Sequence, residues 1–343
     1  MKVGLWFDLR NPPGWRRDPA RLYAFTLEMC EEAERLGADS LWFSEHHGFE
    51  DGYLSQPLTF ASAAAARTKR VRLGTGILVA PLRKTVQLAE EAAVVDLVSG
   101  GRLDLGLGAG YRAPEFEAFG ADISARYRTL DAQVGELRRL WGEGGVTPGP
   151  VQQRLPVWLG YQGPKGAERA GRMGECLLTA NGESWPHYRD GLVAGGHDPR
   201  TARMSGGIEG FVTEDPERDW ALVAPHVAYQ FDSYRRYMVE GTGRPVPRPV
   251  DPDRLRARTP GAPLSSFLFD TPENVAAGVK KYVAGAPVET VWFGASVAGM
   301  PEAAVAQHVN VICNRLRPLL QNAGSPASGA GGEGGADQGG TAR

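Results

Sequence analysis

Short apolar runs alternate along this chain with longer stretches in which apolar residues recur every three or four positions, the first pattern reading as buried strand and the second as amphipathic helix. The runs are residues 2–9 (KVGLWFDL), 40–44 (SLWFS), 71–79 (VRLGTGILV), 103–107 (LDLGL), 156–160 (PVWLG), 176–179, 206–213 and 290–294 (TVWFG). They lack strict polar alternation, as expected of parallel strands covered on both faces. Helix signals separate them. Asp18 and Pro19 open the first helix and Gly37 closes it. Eight strand–helix units in one chain predict a (β/α)8 TIM barrel. A doubly wound open sheet would carry a glycine fingerprint after its first strand, where this chain reads RNPPGWRRD.

Two stretches break the pattern. Residues 240–266, rich in Pro and Arg and without a period, read as an insertion before the last helix–strand unit, of the kind that forms lids. Residues 323–343 are Gly-, Ala- and Ser-rich and cannot bury enough surface to order themselves, so a disordered tail is expected after a single barrel domain spanning residues 1–322. With 38 basic and 40 acidic residues and no basic block, neither nucleic acid nor an anionic membrane is an evident partner. A small or apolar ligand is the better default. Cys30, Cys176 and Cys313 lie far apart in apolar settings and read as buried thiols rather than a disulfide framework. The N-terminus lacks a secretory pattern and no apolar run reaches membrane-spanning length, so a cytoplasmic location is expected.

In such a barrel the chemistry sits at the C-terminal ends of the strands, which makes position a test of each candidate. Glu45, His46 and His47 directly follow the second strand. Adjacent residues of an extended chain point to opposite sides, and the other histidines are scattered, so the pair is poor as a metal site. An acid/base histidine or a polar loop with satisfied imidazoles both remain open. Gly74 and Gly76 end the third strand, where close approach of a ligand or a simple bulge would each require glycine. Gly106, Gly108 and Gly110 follow at two-residue spacing in the fourth, leaving room for a flat ring against the backbone. Gln162, Gly163, Pro164 and Lys165 open the helix after the fifth strand, where free N–H groups and the helix dipole would hold an anion.

These segments, EHH after strand two, VRLGTGILVAPLRKTVQLAEEAAVVDLVSGGRLDLGLGAGYRAPEFEAFG, RTLDAQVGELRRLW and PVWLGYQGPKGAERAG, resemble the bacterial luciferase-like family of flavin-dependent monooxygenases, with its deazaflavin-using branch. The resemblance covers residues 1–210 well and the remainder only in its strand–helix plan. It implies that His46 is the catalytic histidine, with Glu45 or a backbone group fixing its tautomer and His47 in support. It also implies that Gly76-Ile77 is a non-prolyl cis peptide behind the flavin ring, with Gly108 and Tyr111 beside it, and that Gln162, Gly163, Pro164 and Lys165 cradle the phosphate. Gly108 and Ala109 stand where luciferase itself has a reactive-site cysteine and a phosphate-contacting arginine, which argues against light emission. The implied activity is two-component oxygenation of a hydrophobic small molecule by reduced FMN and O2 through a flavin hydroperoxide. A separate NAD(P)H:flavin reductase would supply the flavin to a homodimeric enzyme. Hydride transfer with a deazaflavin coenzyme and a non-catalytic flavin-binding barrel are the alternatives.

Overall fold

A computed structural model describes residues 1–142, 145–257 and 264–321, so the expected tail and residues 258–263 of the insertion lie outside the described residues. The first half contains β1 (Lys2–Phe7), α1 (Pro19–Arg35), β2 (Ser40–Phe43), α2 (Pro57–Arg67), β3 (Arg72–Thr75), β4 (Leu78–Val79), α3 (Thr85–Ser99), β5 (Leu103–Gly108), α4 (Ala113–Ala118) and α5 (Arg126–Leu140). The second contains β6 (Val157–Leu159), α6 (Gly163–Arg172), β7 (Cys176–Leu178), α7 (Trp185–Ala194), β8 (Met204–Ile208), β9 (Gly210–Val212) and α8 (Pro216–Val239). After these come α9 (Pro252–Arg256), β10 (Leu268–Asp270), α10 (Pro272–Tyr282), β11 (Val288–Gly294), α11 (Glu302–Val311) and α12 (Arg317–Gln321). Parallel pairing runs β3-β2-β1-β11-β8-β7-β6-β5-β4, and β3 also pairs with β5, which closes an eight-stranded barrel.

Two of the expected strands are broken, and both breaks fall at the barrel mouth. The third divides into β3, whose Leu73 and Gly74 pair with the base of β5, and β4, whose Leu78 and Val79 pair with Leu107 and Gly108 at its top. The detour between them is the Gly76–Ile77 peptide, which is cis. The seventh divides at Glu209: β9 leaves the barrel and pairs with β10, a strand that the sequence pattern did not reveal, in a separate two-stranded sheet. The insertion, expected to lack structure, contains the short helix α9.

Four tryptophans fill the barrel interior where branched aliphatic layers are usual: Trp6, Trp42, Trp158 and Trp292. Trp42 and Trp292 stack at 5.4 Å between centroids. Glycines make their room. A Cβ on Gly74 would stand 2.3 Å from Trp42, and one on Gly207 2.4 Å from Trp292. The plug leaves the upper barrel open.

The roof over this space is α8, capped by Asp215, with buried Val223, His226, Val227, Gln230, Ser233 and Tyr237 forming one helical stripe. That face ties down four loops. Ser233 accepts a hydrogen bond from Arg10 after β1, Tyr237 Oη accepts from the Glu50 N–H after β2, Gln230 donates to Glu209 after β8, and His226 bonds the Ala298 carbonyl after β11.

Candidate active site

Between the tryptophan plug and α8 lies a cavity of about 530 Å³, within the range of small-molecule sites. Its lining includes Glu45, His46, Gly76, Ile77, Gly108, Tyr111 and Gln162, so seven of the residues expected from the sequence converge there. His47, Gly163, Pro164 and Lys165 do not line it. The last three form the first turn of α6 immediately beyond Gln162, exposed, with Gly163 at a φ of +69° that favours glycine.

The histidine pair is divided as strand geometry dictates. His46 has its Nδ1 2.9 Å from Glu115 Oε1, which also accepts the His47 backbone N–H at 2.9 Å. Because Oε1 already accepts the His47 N–H and so presents an acceptor to the ring, Nδ1 carries the proton and Nε2 is left as the working atom, 3.3 Å from Tyr111 Oη. The ring is held in a box of Phe49, Tyr53, Tyr111 and Tyr234. Glu45, expected to fix this tautomer, does not do so. Its buried carboxylate takes His47 Nε2 at 2.5 Å, Arg83 Nη1 at 2.7 Å and the Val79 N–H at 2.8 Å, which pins β4 and aims His47 away from the cavity. Glu115 replaces it, from α4, whose Pro114 start and first-turn acid were the only signal in the sequence.

The glycines have a more specific use than room for a ring. A Cβ on Gly108 would lie 2.6 Å from Ile77 Cδ1, one on Gly160 2.7 Å from Ile77 Cγ2, and one on Gly106 1.8 Å from the Thr75 carbonyl oxygen. Ile77 therefore projects from the broken third strand as a ledge seated between two bare backbones. Of the aromatic residues near strand ends, Trp6, Tyr53, Tyr111 and Tyr161 line the cavity, whereas Trp42 and Trp158 lie beneath it.

Two groups of residues have no precedent in the reading of the sequence. Arg112 Nη1 donates to the His47 carbonyl at 2.7 Å and its Nε to Glu240 at 2.8 Å, so the first residue of the insertion is clasped to the loops after β2 and β5. Behind the cavity, buried Arg10 pairs with buried Asp51 at 2.7 Å, and its guanidinium lies over the rings of Tyr53, Tyr229 and Tyr234. Asp8 joins this cluster, and burial pushes its pKa up to about 6 against the lowering pull of Arg10. Glu209, at the break between β8 and β9, is exposed into the cavity rather than sealed in the core; withdrawal from bulk water, then the Asp8 charge, pushes its pKa up to about 7. Burial likewise raises the phenols of Tyr53, Tyr111 and Tyr234, which stay neutral. Among the described residues no group of three or more His, Cys, Asp or Glu could hold a metal ion, and no helix is long and apolar enough to cross a membrane.

The model of the luciferase-like monooxygenase family matches residues 1–305. The chain belongs to that family. Among curated relatives, the oxygenase component of the flavin-dependent trigonelline monooxygenase of Acinetobacter baylyi (strain ATCC 33305 / BD413 / ADP1) is 33% identical over 166 residues, covering 44% of this chain and 46% of that protein. An F420-dependent glucose-6-phosphate dehydrogenase of Kineococcus radiotolerans is 27% identical over 301 residues, covering 77% and 84%. For most of the similar curated relatives the chain spans about half their length or less. In three dimensions it is similar to monooxygenase RslO1 from Streptomyces bottropensis, with a TM-score of 0.75, 25% identity, and coverage of 93% of this chain and 99% of that one.

Proposed function

We propose that this family member is the oxygenase of a two-component flavin monooxygenase, using reduced FMN from a separate reductase and O2 to oxygenate a hydrophobic small organic molecule. The observation that carries the reading is His46: its Nδ1 is fixed on buried Glu115 and its Nε2 is directed, with Tyr111, at a cavity large enough for a flavin ring and a substrate. The names of the Acinetobacter baylyi relative and of RslO1 support it.

The residues present fit a flavin mononucleotide. The ring system would rest on the Ile77 ledge between Gly76, Gly108 and Gly160, with Tyr111 at its edge, and the phosphate would meet the free N–H groups of Gly163 and Lys165 at the start of α6, beside the Gln162 cap, with Pro164, which has no N–H, setting the first turn. Reduced flavin supplies the activation of oxygen. The chain supplies the rest. Its aromatic box and the α8 roof exclude water, His46 Nε2 accepts or returns a proton at the reacting edge, and Glu115 stabilises the imidazolium when it forms. Glu45 holds β4 and His47 in place.

The similarity to F420-dependent dehydrogenases keeps hydride transfer with a deazaflavin as the second reading. Titration with reduced FMN, oxidised FMN and the deazaflavin, followed by admission of oxygen in a stopped-flow spectrometer, separates them. Preferential binding of reduced FMN with a slow, protein-dependent reoxidation is the expected result. Tight deazaflavin binding with no oxygen reaction would replace the proposal.

A further inference from the structure

The cavity is electrostatically one-sided. Among the described residues its lining contains two carboxylates, Glu45 and Glu209, one histidine, and no lysine or arginine. Glu45 is consumed by Arg83, His47 and the Val79 N–H. Glu209 is not. Its Oε2 accepts one hydrogen bond from Gln230 Nε2 at 3.1 Å, and among the described residues it has no basic partner. Its place is firm, because the break after β8 is held by the Leu268 N–H on the Glu209 carbonyl at 2.9 Å.

The ground behind Glu209 is acidic as well. Asp51 takes the Arg10 guanidinium and Asp8 the Arg10 backbone N–H, so among the described residues this cluster and Glu209 set three carboxyl groups against the one charge of Arg10. Asp8 Oδ2 and Asp51 Oδ1 are buried without a hydrogen-bond partner. Such an excess favours a proton on Glu209 or Asp8, or a cation brought in from outside. The chamber beside Glu209 suits an organic cation, since it is walled by Trp6, Tyr53, Tyr234 and Trp292. Two of these tyrosines already carry the Arg10 guanidinium near a ring face. An independent feature marks the same wall as built for a ligand. Trp292 is only 8% exposed and its indole N–H has no partner, so an occupant with an acceptor would complete it.

We infer that the substrate carries a positively charged nitrogen, an ammonium or a cationic heterocycle, and that Glu209 is the specificity-determining residue that holds it. This rests on the reading of the cavity as the active site. The occupant is then an amphipathic organic cation with an apolar body over the tryptophan floor, its charge against Glu209 and an acceptor within reach of Trp292. The field at Glu209 is set by Asp8 and Arg10 from the β1 loop and by Gln230 and Tyr234 from α8. Tyr53 and His46 stand across the chamber.

The test is calorimetric titration of the full chain, with and without flavin, using benzyltrimethylammonium, its uncharged carbon isostere neopentylbenzene, and phenylacetate. The expected result is at least tenfold tighter binding of the cation than of the isostere, and weakest binding of phenylacetate. The preference should grow between pH 6 and pH 8 as Glu209 ionises. In Glu209→Gln, checked for an unchanged circular dichroism spectrum and thermal midpoint, the preference should fall below twofold while the isostere binds as before. Equal binding of cation and isostere, a preference that survives Glu209→Gln, tighter binding of phenylacetate, or no binding of the cation would each overturn the inference. The flavin reading fails separately: charge preference without any flavin binding sinks the oxygenase, and flavin binding without charge preference sinks the assignment of Glu209.

Discussion

Replacing Gly108 with alanine tests whether the glycines of the fourth barrel strand exist for the ledge or for the ligand. The added Cβ would stand 2.6 Å from Ile77 Cδ1 and 2.7 Å from its Cγ1, against an ordinary carbon–carbon contact of roughly 3.5–4.0 Å. An encroachment of about 1 Å has to be absorbed. Ile77 cannot simply swing aside, because its Cγ2 already occupies the space over Gly160. Overpacking of this kind costs about 1–3 kcal/mol, or a fall in thermal midpoint of roughly 1.5–4.5 °C in a chain of this length. The displaced ledge should also weaken FMN binding. Ile77→Ala removes the obstruction, so Gly108→Ala should cost little in that background, with a coupling energy of at least about 1 kcal/mol in the double-mutant cycle. Urea unfolding gives the stability arm and quenching of flavin fluorescence the binding arm. The reasoning fails if Gly108→Ala alone is within about 0.5 kcal/mol of wild type, or if the two substitutions are additive. A glycine kept only for the flavin would instead lose the same affinity in both backgrounds and leave stability unchanged.

Other consequences are equally direct. Glu115→Gln keeps the shape but loses the charge that Nδ1 of His46 sees, a hydrogen bond worth about 1.5–3 kcal/mol; reoxidation of bound reduced FMN should change by roughly 10–100-fold, with altered ring ¹⁵N shifts for His46, and an unchanged rate would remove Glu115 from the mechanism. His308 is buried and accepts the Val212 N–H at 2.9 Å through Nε2, so burial holds its pKa down to about 3. Folded His308 stays neutral where the unfolded chain takes up a proton below about 6.5, so stability is complete above that pH and falls on acidification toward 3. The slope is about 1.4 kcal/mol per pH unit at most, and His308→Gln should flatten it in urea melts at pH 5 against pH 7.5. Arg112→Ala unfastens Glu240 and the His47 carbonyl; the expected outcome is faster proteolytic cleavage after Val239 and a loss of about 1–3 kcal/mol, and protease resistance equal to wild type would show that the clasp does not hold the insertion.

The alternation of apolar runs and helical stripes made the barrel readable, because burial on both faces of a strand and on one face of a helix is a local demand that each segment must meet on its own. The same locality placed Glu45, His46, Gly76 and Gln162 at the mouth, since the fold assigns strand ends to one side. Neither fact could say which carboxylate meets His46. Glu115 is 69 residues away in the chain, and Glu45, the neighbour in sequence, is drawn off by Arg83, which lies 38 residues away. The breaks in the third and seventh strands were hidden for a related reason. Residues 71–79 and 206–213 each read as one strand despite Arg72, Thr75, Glu209 and Thr213, and only pairing against β5 and β10 decides where each strand breaks. The tyrosines of α8 looked like any helical stripe until that helix was laid across the mouth. Local periodicity records that a side chain is buried, whereas the identity of what it is buried against depends on strand register and the path of distant loops, and these exist only once the barrel has closed.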